Sequence, residues 1–98
     1  MTTTLDLLTN AVGNVNGPVF TYSFANPVNG TVTITVTGSF FSLEIQTSTF
    51  LEPNYDANPP LTVNASGTYT FSAVNMVGIR AFLIGGSDGS PVSVTASF

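Results

Sequence analysis

The residues able to do chemistry in this chain are few. Six side chains carry charge among 98 residues: Asp6, Glu44, Glu52, Asp56, Asp88 and Arg80. His, Cys, Trp and Lys are absent. That leaves no imidazole acid or base, no thiolate, no Schiff-base amine, no disulfide and no Cys/His zinc site. General acid–base work would fall to carboxylates alone. Glu44 alternates with Phe41, Leu43 and Ile45; it reads as a solvated outer-face carboxylate, or as half of an acid pair or a partner for Arg80. Glu52, Asn54, Asp56 and Asn58 recur at a spacing of two in one loop. Calcium ligands can be spaced so, but the glycine and closing glutamate of an EF-hand are missing, and a polar loop is the plainer reading. Glycosidases flank a sugar with two carboxylates, whereas Glu52 and Asp56 share one loop with no Trp platform beside them. Asp88 in Gly-Ser-Asp-Gly-Ser reads as a turn former. We therefore expect no enzyme, no cofactor and no metal.

The charge balance narrows the partners. A net charge of −4 with one Arg cannot track phosphates by counterion release, so nucleic acid is not an expected partner. Apolar runs reach only about four residues, far short of the roughly 20 of a membrane-spanning helix, and no membrane association is expected. The opening Met1-Thr2-Thr3-Thr4-Leu5-Asp6 lacks the basic and apolar regions of a secretory signal. Asn29-Gly30-Thr31 and Asn64-Ala65-Ser66 match the glycosylation triplet, which chance explains in a chain with 25 Ser and Thr.

The elements that must position these side chains are strands. Thr31 to Thr37 alternates strictly, with Val32, Ile34 and Val36 on one face and four Thr on the other. This is the period of a half-buried strand rich in β-branched residues. Phe20-Tyr22-Phe24, Phe41-Leu43-Ile45, Tyr69-Phe71, Ile79-Ala81-Leu83 and Val92-Val94-Ala96-Phe98 repeat the pattern, and shorter strands fit Leu61–Val63 and Leu5–Leu8. Turn signals rich in Gly, Asn and Pro separate them. The fold class expected is all-β: a single antiparallel β-sandwich or jelly roll of seven or eight short strands, one domain over residues 1–98. Residues 1–10 form either a first strand or an N-terminal arm that adds to a neighbour's sheet. The Thr row of 31–37 is expected to stand alone, without matching rows on adjacent strands, as an ordinary solvated face.

Some apolar positions fall on outer faces and mark candidate interface residues. Phe40 must oppose Phe41, and Phe82 and Ile84 share the outer face with Arg80. Adjacent Leu7 and Leu8 break the alternation of the first segment, which suits an arm covered on both sides. Leu5, Leu7, Leu8, Phe40, Arg80 and Phe82 are the resulting set, of types that interfaces favour.

Gly67-Thr68-Tyr69-Thr70-Phe71, then Gly78-Ile79-Arg80-Ala81-Phe82-Leu83-Ile84-Gly85-Gly86, then Ser90-Pro91-Val92-Ser93-Val94 resembles small β-sandwich virion proteins of tailed bacteriophages, of the capsid decoration (cement), head-fibre or tail accessory type. Gly30 to Ile34 followed by Gly38-Ser39 and Phe41 to Ser48 extends the resemblance over Thr31–Phe98. Where that group carries an Asp-Gly turn and a Trp, this chain reads Thr49-Phe50-Leu51-Glu52-Pro53-Asn54-Tyr55, which would put Phe50 or Tyr55 in the aromatic's place. The resemblance implies a non-enzymatic structural protein of the virion, foremost a capsid decoration (cement) protein, made in the host cytoplasm. It implies the major capsid protein or another virion protein as partner, and a homo-oligomer, with a trimer favoured. The alternative is a receptor- or carbohydrate-binding module of a tail or adhesin, against which the lack of Trp and the scarcity of charge count.

Overall fold

A computed structural model of the chain describes residues 3–23, 25–49, 53–55 and 59–98. Eight strands follow in order: β1 (Thr4–Ala11), β2 (Gly13–Asn16), β3 (Phe20–Thr21), β4 (Val28–Thr37), β5 (Ser42–Thr49), β6 (Leu61–Val63), β7 (Gly67–Gly86) and β8 (Val92–Ser97). All pairings are antiparallel. The strand order is β1-β8-β4-β7-β5-β6, with β2 and β3 also on β7.

The 20-residue β7 makes two layers from this one ladder. Its first half pairs with β4, from Gly67↔Val36 to Met76↔Val28. Its second half pairs with β5, from Met76↔Thr49 to Ile84↔Ser42. The first layer is thus β1-β8-β4-β7, and the second is β6-β5-β7 with β2 and β3 on the far edge. Between the halves lies Asn75, whose φ is +51° and whose backbone N–H donates to Asn29 Oδ1 at 2.9 Å. The inward face shifts there. Ala73 is buried before the joint, and Met76, Ile79, Ala81 and Leu83 are buried after it. The sequence pattern suggests two strands with a gap at 73–77; the structure runs one strand through a local kink, because each half has its own partner.

The core follows the alternation. Val32, Ile34 and Val36, Leu43 and Ile45, and Val92, Val94 and Ala96 are all buried in one cluster. Fully burying one such aliphatic side chain stabilises by about 1.5–3 kcal/mol. The N-terminal segment joins that cluster as the first strand, paired in the same chain with β8. Leu7 and Leu8 are both buried, because the β1–β8 register shifts between Asp6 and Leu8 and again between Leu8 and Ala11. A bulge sets two residues against one and so lets two neighbours face inward. Leu7 and Leu8 are therefore core residues rather than interface residues, and Leu5 packs partly buried against the same cluster. After Ala11 the chain leaves β8 and, as β2, joins the second half of β7.

Phe40 and Phe41 exchange their expected roles. Phe40 packs against the core, while Phe41 is 76% exposed. β5 begins only at Ser42, so Phe41 precedes the alternation it was expected to start. Its N–H donates to the Ile84 carbonyl at 3.1 Å, which ties it to the end of β7 with the ring outside.

Candidate functional site

Each layer turns one face outward. On the first layer, β4 does not carry its Thr row alone. Thr4, Ser97, Thr33 and Thr70 stand side by side across β1, β8, β4 and β7. Asp6, Thr95, Thr35 and Thr68 form the next row. Thr31 opposes Ser72, and Thr37 opposes Ser93. The expectation of a single Thr row is overturned: the neighbouring strands repeat it, through a register that the periodicity of β4 alone does not contain.

On the second layer the outer face is mixed. Asn16, Phe82, Glu44 and Thr62 form one row across β2, β7, β5 and β6. Arg80 faces Gln46 in the next row, and Gly78 faces Ser48 in the one after. Arg80 Nε–H donates to Gln46 Oε1 at 2.6 Å. Gln46 Nε2–H donates to Glu44 Oε1 at 2.9 Å. The two partners settle the amide orientation: a carboxylate requires the NH₂ end and a guanidinium the carbonyl end. Gln46 is only 3% exposed although it lies on the outer face of its strand.

Tyr55 supplies cover for this face. Arg80 Cζ stands 4.9 Å from the centroid of its ring, within reach for a cation–π attraction. The Tyr55 hydroxyl occupies the space where a side chain at Gly78 would begin, so glycine there admits the ring. Burial pushes the Tyr55 hydroxyl above its ordinary pKa, and the Arg80 cation opposes that shift. The structure thus puts Tyr55 over the face; Phe50, the other residue considered for that role, lies outside the described residues.

Asn16, Glu44, Gln46, Arg80 and Phe82 line an open depression of about 360 Å³. Of the expected interface residues, Arg80 and Phe82 meet here, while Leu5, Leu7, Leu8 and Phe40 do not line it. Glu44 and Arg80 are linked, with Gln46 as the intermediary. Sequence reasoning missed Asn16 and Gln46, whose only signal was an amide at an outward position of a strand. The calcium-like spacing at Glu52, Asp56 and Asn58 lies outside the described residues. Among the described residues no three His, Cys, Asp or Glu side chains gather as a metal site would require.

Fold and site together define a class: a small antiparallel β-sandwich with a polar depression on one layer. Two solved structures share the fold. The SPBc2 prophage-derived protein YomS aligns with a TM-score of 0.72 at 11% identity, over 99% of this chain and 91% of that one. The PBSX exported protein XepA aligns with a TM-score of 0.74 at 13% identity, over 99% of this chain and 37% of that one. At these identities the likeness is one of fold. No protein-family model matches the sequence, and no curated protein matches it.

Proposed function

We propose that this chain is a non-enzymatic structural protein of a phage particle, and that it decorates the capsid. The observation that carries this reading is the near-complete overlap with a prophage-derived protein, 99% of one chain on 91% of the other. The described strands close one core, so the outward faces of the sandwich are the surfaces offered to a partner. Phe41, 76% exposed beside Val63 in a second open depression, is the largest exposed apolar group among the described residues. The partner under this reading is the major capsid protein or another virion protein. Self-association as a trimer would make modest contacts effective by multivalency.

The mixed depression on the second layer favours a second reading, a recognition module on a tail or adhesin. Its similarity to a protein described as exported fits that setting as well. Immunogold labelling of purified particles of the encoding phage, with light scattering of the isolated protein, tests both. Label over the head and a trimer support decoration. Label on the tail shifts the assignment to recognition. Particles free of the protein overturn both.

A further inference from the structure

We infer that the depression lined by Asn16, Glu44, Gln46, Arg80 and Phe82 binds an uncharged polyhydroxyl ligand, a saccharide of one or two rings. This deepens the recognition reading and rests on it only for the premise that the depression is a working surface, not for where the protein sits.

The first argument is preorganisation. Gln46 is almost fully buried, and it spends one end of its amide on Arg80 and the other on Glu44. Arg80 is also held over Tyr55. Two half-exposed charged groups are thereby fixed in direction before any ligand arrives, which lowers the ordering cost of binding. The second argument is complementarity. Glu44 offers a second carboxylate oxygen that only accepts, Arg80 offers terminal amino groups that only donate, and the Asn16 amide does both. Adjacent hydroxyls on a sugar ring donate and accept together, and so can use all three.

The third argument is charge. An anion drawn to Arg80 would meet Glu44, and a cation drawn to Glu44 would meet Arg80. A neutral ligand satisfies both without repulsion. Phe82, directly between Asn16 and Glu44 in the row, adds an apolar surface for the C–H face of a ring. The volume of about 360 Å³ lies at the small end of the range for ligand clefts. The depression beside Phe41 is lined by Phe41, Ser42, Thr62, Val63 and Asn64, none of them charged among the described residues. Trp is absent from the chain, but one aromatic face with a fixed donor–acceptor pair is sufficient for a weak site.

The test is an NMR titration of the isotopically labelled full chain with glucose, galactose, N-acetylglucosamine, cellobiose, lactose and chitobiose, and with inorganic phosphate as the anionic control. At least one sugar should give saturable shifts concentrated at Asn16, Glu44, Gln46, Arg80 and Phe82. Glu44→Gln and Arg80→Lys, each checked for a native spectrum, should weaken that binding about tenfold or more, while Thr35→Ala on the other layer should leave it unchanged. The inference is overturned if no sugar shifts these residues, if phosphate binds there more tightly than every sugar, or if both variants bind like the parent. Binding to cells or glycans that survives in both variants would remove this depression from the site and still leave a recognition module standing.

Discussion

On the outer face of the first layer, Thr33, Thr35, Thr68, Thr70, Thr95 and Ser97 repeat one chemistry across neighbouring strands. On the outer face of the second, Glu44, Gln46, Arg80, Phe82 and Tyr55 bring a carboxylate, an amide, a guanidinium and two rings together. Both faces belong to the same sheet and share β7. They differ in how far one side chain depends on the next. A hydroxyl on an exposed strand exchanges its hydrogen bonds with water at little cost, so its neighbours barely register its loss. Gln46 is buried, and removing it strips Arg80 and Glu44 of a partner each. One face is a solvated surface with many equivalent members, and the other is a network in which position is specific.

The sharpest break falls at the joint that separates the two faces. Asn75 holds φ at +51° and donates its N–H to Asn29. Asn tolerates that region, whereas a β-branched residue does not. Asn75→Val should cost about 2–3 kcal/mol, whereas Asn75→Gly should stay within roughly 1 kcal/mol because glycine keeps the conformation. Urea melts followed by circular dichroism would separate them. Equal midpoints for the two variants would mean that the joint is not strained.

Next in size is the contrast between the faces themselves. Gln46→Ala should destabilise by about 1–3 kcal/mol, since it leaves a cavity and two unpaired partners. Thr35→Val, the same strand position in kind but on the hydroxyl face, should stay within roughly 0.5 kcal/mol. A double-mutant cycle on Gln46 and Arg80 should show coupling of about 0.5–3 kcal/mol, against less than about 1 kcal/mol for the cross-strand pair Thr35 and Thr68. Similar coupling on both faces would erase the distinction.

A smaller effect is expected from Arg80→Lys. Lys retains the charge but has no Nε–H to give Gln46 at that reach, and its ammonium lacks the flat face that lies over Tyr55. A loss of about 1 kcal/mol in the same melts is expected. A neutral result would show that charge alone, and not the planar group, holds Tyr55.

These contrasts also mark how far the sequence could be read. Val32, Ile34 and Val36 declare an inner face by period alone, and Leu43, Ile45, Ile79, Ala81 and Leu83 do the same; burial confirms each. Single-strand alternation decides in or out without any knowledge of the partner. It fails where the backbone departs from regular strand. Phe41 lies one residue before β5, and Leu7 and Leu8 lie on a shifted register. Across Val74, Asn75 and Met76 the pattern changes parity, which locally resembles a gap between strands. The Gln46–Arg80 contact joins residues 34 apart, and the Thr rows join four strands. Both depend on register between strands, which is a property of pairs and leaves no mark on either member. Arg80 and Phe82 were legible as outward residues of unusual type. Gln46, which organises them, was not, because a buried amide and a solvated amide look alike until the neighbours that cover it are in place.

The smallest effect is electrostatic and sharpens the comparison at high pH. Burial raises the pKa of both Tyr22 and Tyr55 above the ordinary value of 10.0. For Tyr55 the Arg80 cation pulls the other way, but burial is the larger cause. A raised phenol pKa means that the folded state holds its proton more tightly than the unfolded chain. Below pH 10 both states are protonated, and these two groups make stability independent of pH. Above it the unfolded chain releases protons first, so stability falls as pH climbs through the folded value. Tyr55→Phe removes one of the two groups and should flatten the decline in urea midpoint between pH ~8 and ~11. Arg80→Met should steepen it, since the cation that partly offsets burial at Tyr55 is gone. Asp6, Thr95 and the other members of the hydroxyl face have no phenol to titrate, so Thr95→Val should leave the slope where it was. If Tyr55→Phe changed nothing while Tyr22→Phe flattened the curve, the ring over Arg80 would be more open to water in solution than its place on Gly78 implies. The network on the second layer would then extend from Arg80 to Glu44 and stop short of Tyr55.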